Sequence, residues 1–520
     1  MFQLKNNKFA FVDVAAIIFL IFITILVIIP KSINFIEKCK KQSFYKKTNR
    51  LIEKISQNHN EETNIYTYSD KVETSEIKLN YKNISHNDGK IIINKKGKVA
   101  LALHNGRYCI EKDFLDQKMI ITKKTKQDCQ LPYNDNSDAF RPVLKENMIP
   151  IIYKNNKWVT ADLNQAWYDY EKKEWANAIL VEELLRDFYK EAEPFTEINE
   201  YDVLAYFVWI PRYKYKLFNV EALAKKEKGI EISFELLLDD KAIGNNNDEW
   251  LTHPAFTFGK EELKGFWVGK FETTGRYSKP TIKPNLSALV HQNIGFQFEI
   301  AKKFNNFKTY GLSVHDETHM MKNTEWGAVA YLANSNYGKN AEIWVNPSKE
   351  FITGCAGNFV SSAQVLSCAN EYTSSNGQEA STTGNVYGIY DMSGGTAEYV
   401  MGGLYNQDQT EIKLSLATFE NINQSIFDKF IDKYQYGTTS NNQEAYNRRL
   451  LGDATSETRS WYNDTANFIM DSPTWEEYGN FWFTRGGYYN DKEKAGIFNF
   501  VSQDGGATSY NGFRVVLPGK

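Results

Sequence analysis

The hydropathy pattern begins with a long apolar run. Residues 9–29, FAFVDVAAIIFLIFITILVII, are almost uninterrupted hydrocarbon and end before Pro30. At about 1.5 Å of rise per residue, a helix of this length spans roughly 30 Å, one bilayer core. A cleaved secretory signal would have a shorter apolar region and a small-residue cleavage site. We therefore predict a short tail and a membrane-spanning helix over residues 1–30.

The next segment, residues 31–90, is polar with widely spaced apolar positions. From residue 31 to 57 these positions recur at roughly helical intervals, which predicts a stalk helix leaving the membrane. They are Ile33, Ile36, Phe44, Leu51, Ile52 and Ile55. Residues 58–90 are mainly Asn, Glu, Ser, Thr and Lys, a composition that predicts a linker.

Alternating patterns then predict a small β-rich module over residues 91–195. Asn105-Gly106 lies within an alternating stretch, and this dipeptide is a strong hairpin signal. A second hairpin is expected around Lys172-Lys173, between two aromatic runs. Three tryptophans of this module either line a ligand groove or fill a small core: Trp158, Trp167 and Trp175.

The last segment, residues 196–520, shows little periodicity. Phe207–Pro211 is predicted as its first strand, and residues 320–333 have helical spacing with Asn323 or Thr324 as the cap. The remainder is rich in Gly, Asn and aromatic residues, which favours loops held by a few strands. The whole pattern predicts an α+β protein.

Composition narrows the functional classes. With 42% hydrophobic and 24% charged residues the chain is globular, and a net charge of −3 gives no indication of nucleic-acid binding. Aromatic content of 14% is high, which is typical of chains that bury rings in loop-rich domains or display them for recognition.

The five cysteines form no CxxC motif and suggest no zinc site. Their spacing suggests two local disulfides, Cys109 with Cys129 and Cys355 with Cys368, and leaves Cys39 near the membrane. The alternative is that they are buried free thiols. Disulfides are preferred because the apolar N-terminus places the bulk of the chain outside the cytosol.

Five short motifs in residues 196–520 resemble the formylglycine-generating enzyme, or sulfatase-modifying factor, family. They are Trp267–Thr274, Glu325-Trp326-Gly327, Gly388–Gly394, Arg485-Gly486-Gly487 and Gly512-Phe513-Arg514. The resemblance implies a C-type-lectin-like fold. It also implies a functional cysteine pair between the last two motifs, where this chain has neither Cys nor His.

Alignment on the Arg485 motif places Asp491 and Gly496 roughly where the two cysteines of the family lie. Thiolates suit Cu(I), whereas neither of these residues does, so we expect no copper and no catalytic residue. A diverged oxidoreductase of the same type stays an alternative. His315 and His319 are either a weak metal pair or, preferably, surface and packing residues.

The resemblance also implies a structural Ca²⁺ site near Gly394–Tyr399. Glu398 matches the family motif, whereas Gly395 and Ala397 replace an Asn and a Trp. Oxygen ligands suit this hard cation, so Glu398 is a candidate calcium ligand.

In related ligand-binding proteins the stretch between the last two motifs lies on an exposed face. Tyr, Asn and Ser are residues of adaptable binding surfaces. We therefore predict a ligand-binding face, the alternative being that Phe498 and Phe500 pack inward. Its residues are Tyr488, Tyr489, Asn490, Asp491, Phe500, Gln503, Asp504 and Tyr510.

The N-terminus resembles that of type IV pilin-like proteins. Phe9 opens the apolar run, Asp13 follows four residues later, and Pro30 ends it, but Lys8 stands where pilins have a glycine. Either the segment is a degenerate pilin-like anchor that keeps Met1, or the similarity is coincidental.

The basic residues after the apolar run would place the large domain in the cytosol by the positive-inside rule. The paired cysteines and the lectin-like domain favour the outside. We therefore expect a single-pass bacterial membrane protein whose extracellular domain binds a cell-surface glycan, peptide or protein. The structural alternative is a minor subunit that assembles with pilin-like partners.

Overall fold

The computed structural model confirms a mixed α+β protein built mostly from sheets. It describes residues 19, 29–57, 64–68, 88–93, 97–114, 118–126, 129–131, 133–135, 137–235, 238, 241–358, 365–405, 412, 414–419, 428–435, 450–464 and 482–520. The chain divides into two compact units, Met1–Pro132 and Tyr133–Lys520.

The first unit consists of one long helix and one antiparallel sheet. The sheet is a simple meander in which each strand pairs with the next. Its elements are α1 (Ile29–Gln57), β1 (Asn64–Tyr68), β2 (Asp88–Ile93), β3 (Val99–His104), β4 (Cys109–Lys112) and β5 (Ile120–Thr122).

Helix α1 confirms the predicted stalk helix, but its second half is packed rather than free. Phe44, Leu51 and Ile55 are buried in one apolar cluster with residues of the sheet, including Leu101 and Leu103. These helix residues recur at intervals of seven and four, so they share one helix face. Burying that face against the sheet gives the first unit its core.

The predicted linker over residues 58–90 requires a correction. Strand β1 lies wholly within it, and β2 begins at Asp88. Tyr66 of β1 stands opposite Ile91 of β2. The polar composition of the segment gave no indication of these strands. Their stability comes from pairing with a neighbouring strand rather than from the local sequence.

The predicted membrane span, residues 9–29, lies outside the described residues apart from Phe19 and Ile29. In the part of the chain that the structure does describe, no helix is both long enough and apolar enough to cross a bilayer.

The second unit contains the remaining elements. They are β6 (Ile149–Lys154), β7 (Lys157–Thr160), β8 (Asn177–Val181), α2 (Arg186–Glu191), β9 (Val203–Pro211), β10 (Tyr213–Lys216), β11 (Ile232–Phe234), β12 (Trp250–Thr252), β13 (Thr257–Phe258), β14 (Glu261–Glu262), β15 (Gly265–Gly269), β16 (Thr274–Arg276), β17 (Lys279–Thr281), α3 (Ile294–Lys302), α4 (Phe307–Tyr310), β18 (His319–Met320), α5 (Asn323–Ala333), β19 (Ala397–Tyr405), β20 (Asp432–Gln435), β21 (Trp482–Gly486), β22 (Gly496–Gln503), β23 (Asn511–Phe513) and β24 (Val515–Gly519).

Two larger sheets organise this unit. An antiparallel sheet of seven strands has the order β18-β24-β15-β9-β8-β6-β7. A second sheet has the order β20-β19-β21-β22, with β23 parallel to β19. Smaller sheets join β11-β10-β12, β13-β14 and β16-β17. One continuous apolar core runs through the unit.

The boundary predicted at residues 195/196 falls inside the second unit. Strands β6, β7 and β8 belong to the same sheet as β9, and Ala178 pairs with Phe207 across that boundary. Phe207–Pro211 is therefore the end of the fourth strand of the unit. Long-range strand pairing overrides the change of composition from which the boundary was predicted.

Of the local predictions for residues 91–195, the Asn105-Gly106 turn and the burial of the tryptophans hold, whereas the hairpin expected at Lys172-Lys173 is only a turn closed by one isolated bridge. Asn105-Gly106 lies in the turn between β3 and β4, where Gly106 has a φ of 86°. The chain also turns at Lys172-Lys173, where Asp169 bridges to Glu174. The three tryptophans are buried, which confirms their packing role: Trp158, Trp167 and Trp175.

Both predicted disulfides are formed. Cys109 joins Cys129 in the first unit, and Cys355 joins Cys368 in the second. The remaining cysteine, Cys39, is exposed on α1.

Removing the first disulfide should loosen the first unit. Closing a loop of this size contributes about 3 kcal/mol. We expect the double variant Cys109→Ser/Cys129→Ser to lose about 100-fold of the hydrogen-exchange protection of the β3 and β4 amides. Cys39→Ser is the matched control and should exchange as the wild type does. Equal protection in both variants would contradict the expected contribution.

Candidate functional site

Arg514 is a buried hub between motifs that are far apart in the sequence. It follows β23, and its Nη1 donates to the carbonyl of Gly269 at 2.8 Å. Its Nη2 donates to the carbonyl of Tyr390 at 3.0 Å and to the Glu398 carboxylate at 2.5 Å. Three of the sequence motifs and Glu398 therefore meet at one guanidinium, which fixes the loops that carry them.

Arg485 is a second buried hub. Its Nη1 donates to Asn323 Oδ1 at 2.7 Å and to the Asp453 carbonyl at 2.8 Å, and its Nη2 donates to the Ala454 carbonyl. The guanidinium lies 5.6 Å from the centre of the Trp326 ring. Burial lowers the pKa of Arg485 to about 10, so the side chain is still charged at neutral pH.

Glu398, the candidate calcium ligand, is occupied by Arg514. Its Oε1 and Oε2 both accept hydrogen bonds from the guanidinium, at 2.5 and 3.1 Å. Burial raises the pKa of Glu398 to about 7, and Arg514 opposes the rise. Among the residues that the structure describes, no group of three or more His, Cys, Asp or Glu is arranged to hold a metal ion. Calcium at Glu398 stays a prediction.

Two further carboxylates lie close to this pair. Burial, followed by the charges of Asp391 and Glu398, raises the pKa of Glu272 well above its ordinary value. Burial also raises the pKa of Asp391 to about 6. The Glu272 Oε1 accepts from the N–H and the hydroxyl of Thr396, at 2.8 and 2.7 Å. Its Oε2 has no hydrogen-bond partner among the described residues.

Asp491 and Gly496, the two positions predicted to replace cysteines, each make a specific structural contact. The Asp491 Oδ2 accepts the backbone N–H of Tyr488 at 3.0 Å. A Cβ at Gly496 would overlap the carboxylate of Asp464, whose Oδ2 accepts the N–H of Phe498 at 2.9 Å. Asp491 thus stabilises a turn, and the absence of a side chain at Gly496 leaves space for the buried Asp464 carboxylate.

Several of the predicted ligand-binding residues form an aromatic cluster at the surface. Tyr488 is the centre, with ring centroids 5.4 Å from Tyr489 and 5.1 Å from Tyr510. Tyr489 in turn lies 5.5 Å from Phe351. The exposed Asn490 donates to the Tyr488 hydroxyl at 3.1 Å. We call these five residues the tyrosine face; all except Asn490 are half-buried.

Sequence analysis missed Phe351, because it lies well over a hundred residues before the tyrosines and no local pattern marks it. It adopts a positive φ of 55°, uncommon for a bulky residue. Such strain persists only where the surrounding structure enforces it. The backbone conformation at Phe351 therefore indicates that surrounding contacts hold this part of the tyrosine face in place.

The other predicted residues divide into two groups. Asp491, Gln503 and Asp504 are half-buried, and Asp504 accepts the N–H of Gly506 at 2.8 Å. Phe500 is not at the surface, and this prediction needs correction. Its ring packs in the core 5.1 Å from that of Phe483, because every residue of β22 from Gly496 to Phe500 is buried.

The two histidines do not form a helical metal pair. His315 is exposed in a single helical turn, whereas His319 is buried in β18. The His319 Nε2 lies 3.0 Å from Glu325 Oε1. This agrees with the surface-and-packing interpretation of the two residues.

Comparison with known proteins adds no relative: no protein-family model matches the chain, and no curated protein matches it significantly.

Proposed function

We propose that this chain is a membrane-anchored bacterial cell-surface protein that binds a ligand through the tyrosine face of a non-catalytic, sulfatase-modifying-factor-like domain. The observation that carries the proposal is the tyrosine face itself. Its three tyrosine rings are half-buried and packed ring to ring, with Phe351 against Tyr489. Tyrosine combines a large apolar area with a polar tip at low entropic cost, which suits recognition.

The convergence of the sequence motifs supports the lectin-like part of the proposal. Arg514 bonds to Gly269, a residue 245 positions earlier, and the Arg485 guanidinium lies 5.6 Å from the ring centre of Trp326. These contacts bring motifs that are far apart in the sequence together. The buried arginines hold the loops at fixed positions, which preorganises the surface they carry.

The residues at the aligned cysteine positions support a binding rather than an oxidative role. Asp491 holds the turn that carries Tyr488, so the position contributes to the tyrosine face. Gly496 accommodates the Asp464 carboxylate. The oxidoreductase alternative would need a redox-metal site built elsewhere.

The first unit favours one second candidate, a minor subunit of a pilin-like apparatus. The observation that favours this candidate is the packing of Phe44, Leu51 and Ile55 of α1 against an antiparallel sheet. A helix whose second half is buried on a sheet can carry an N-terminal apolar extension into a membrane or an assembly. N-terminal sequencing of the native protein tests it: a mature chain beginning at Phe9 supports assembly, whereas an intact Met1 opposes it.

The tyrosine face is tested by substitution. We expect Tyr488→Ala/Tyr489→Ala to weaken ligand binding by roughly 30-fold, because central aromatic residues contribute about 2 kcal/mol or more to an interface. The measurement is binding of the purified full chain, in mild detergent, to arrays of immobilised glycans and bacterial surface proteins. Tyr201→Ala is the matched control, since Tyr201 is 90% exposed and lies outside the face. Equal binding by both variants would move the site elsewhere.

A further inference from the structure

A cleft of about 560 Å³ lies along helix α3. Its volume is within the range of small-molecule sites, roughly 300–1,000 Å³. It is lined by a face of the helix that includes Phe296, Glu299 and Lys303, and by Thr418 and Ala507 from two other segments.

The walls of this cleft are closely fitted. A Cβ at Gly295 would overlap the carbonyl of Thr418, so only glycine allows that segment to lie against the helix. The Asn293 side chain donates to Thr418 Oγ1 at 2.7 Å and accepts the N–H of Phe296 at 2.9 Å. The N–H of His291 donates to the Thr508 carbonyl at 2.8 Å. These contacts fix the shape of the cleft.

Gln292 gives the cleft an unused hydrogen-bonding group. The side chain lines the cleft and is only 3% exposed. Its amide nitrogen donates to the Val290 carbonyl, but its Oε1 accepts no hydrogen bond from any described residue. A buried acceptor without a partner is costly, so a bound donor would stabilise it.

The lining combines hydrogen-bond acceptors, donors and an aromatic ring. The Gln292 amide oxygen and the Glu299 carboxylate accept, whereas Lys302 and Lys303 donate. Phe296 is 42% exposed, and Tyr277 supports it edge-on at 5.6 Å. Hydroxyl groups both donate and accept, and the C–H face of a sugar ring packs well on an aromatic face. Lys302 Nζ lies 3.4 Å from Glu299 Oε1, so these two opposite charges pair within the lining.

We propose that this cleft binds a terminal sugar residue of a glycan. The sugar ring lies against Phe296, and its hydroxyls hydrogen-bond to Gln292 and Glu299. The inference rests on the proposed binding function and names the class of its ligand. Residues 507–510 connect the two features, because Ala507 lines the cleft and Tyr510 belongs to the tyrosine face.

The experiment applies the purified full chain to an array of immobilised glycans of defined structure. Competition with the free methyl glycoside of the best-bound terminal sugar follows. We expect Phe296→Ala and Glu299→Gln each to weaken glycan binding by about tenfold. Both side chains lie at the surface, so the variants should fold. Phe188→Ala, which removes another exposed phenylalanine, should bind as the wild type does.

The outcomes separate the two proposals. Failure to bind any glycan, or glycan binding that neither Phe296→Ala nor Glu299→Gln weakens, overturns the cleft proposal. If Tyr488→Ala/Tyr489→Ala abolishes binding of any array ligand while Phe296→Ala has no effect, the tyrosine face stands and the cleft fails. If only the cleft variants lose glycan binding, the cleft stands and the tyrosine face fails.

Discussion

Replacing Arg514 with Met is expected to lower the free energy of unfolding by about 3–5 kcal/mol, because breaking a buried ion pair leaves an uncompensated charge. The guanidinium is fully buried and satisfies both oxygens of Glu398. It also satisfies the carbonyls of Gly269 and Tyr390. Urea denaturation followed by tryptophan fluorescence measures the loss, since all 11 tryptophans belong to the second unit.

The control for this prediction is the double variant Arg514→Met/Glu398→Gln. Neutralising Glu398 removes the unpaired charge, so we expect it to recover at least about 1 kcal/mol relative to Arg514→Met. If the double variant is no more stable than Arg514→Met, the loss arises from packing and from the two carbonyls. In that case the ion pair is not the source of the stability.

Replacing Glu272 with Gln is expected to stabilise the second unit increasingly as the pH rises. Burial and the neighbouring acids raise the pKa of Glu272 in the folded protein. A raised folded-state pKa contributes stability below the unfolded value and loses it as the pH rises toward the folded value. Gln has no such loss, so its advantage should grow, by at most about 1.4 kcal/mol per pH unit, as the pH rises from the ordinary glutamate range toward the raised pKa.

Denaturation of the wild type and of Glu272→Gln at several pH values between 5 and 8 tests this dependence. Glu197→Gln is the matched control, because Glu197 is exposed and pairs with the exposed Lys157. Its difference from the wild type should be constant with pH. A constant difference for Glu272→Gln as well would mean that Glu272 is already ionised in the folded protein.

Features set by local sequence could be predicted. The Asn105-Gly106 turn depends on residues that adopt its backbone conformation, and the two disulfides close short loops. The helical spacing over residues 320–333 predicts helix α5, which begins at Asn323; its N-cap is Lys322 rather than Asn323 or Thr324, and Glu325 accepts the N–H of Lys322. The preceding residues, including Met320, pair with β24 instead.

Features set by distant partners could not be predicted. Strand β1 lies in a polar segment and is defined only by its pairing with β2. The alternation expected in a half-exposed strand fails in β22, where Phe500 is covered on one side by Arg485 and Phe483. Phe351 joins the tyrosine face through the fold alone. Single-sequence patterns contain no information on such contacts.

Because Gly496 lies directly against the Asp464 carboxylate, substitutions at these two positions would have to occur in a fixed order. Any side chain introduced at position 496, a thiol included, would collide with the buried carboxylate of Asp464. Asp464 would have to be replaced first, which would remove its bond to the Phe498 backbone. Such epistasis makes a side chain at position 496 hard to reach by a single substitution.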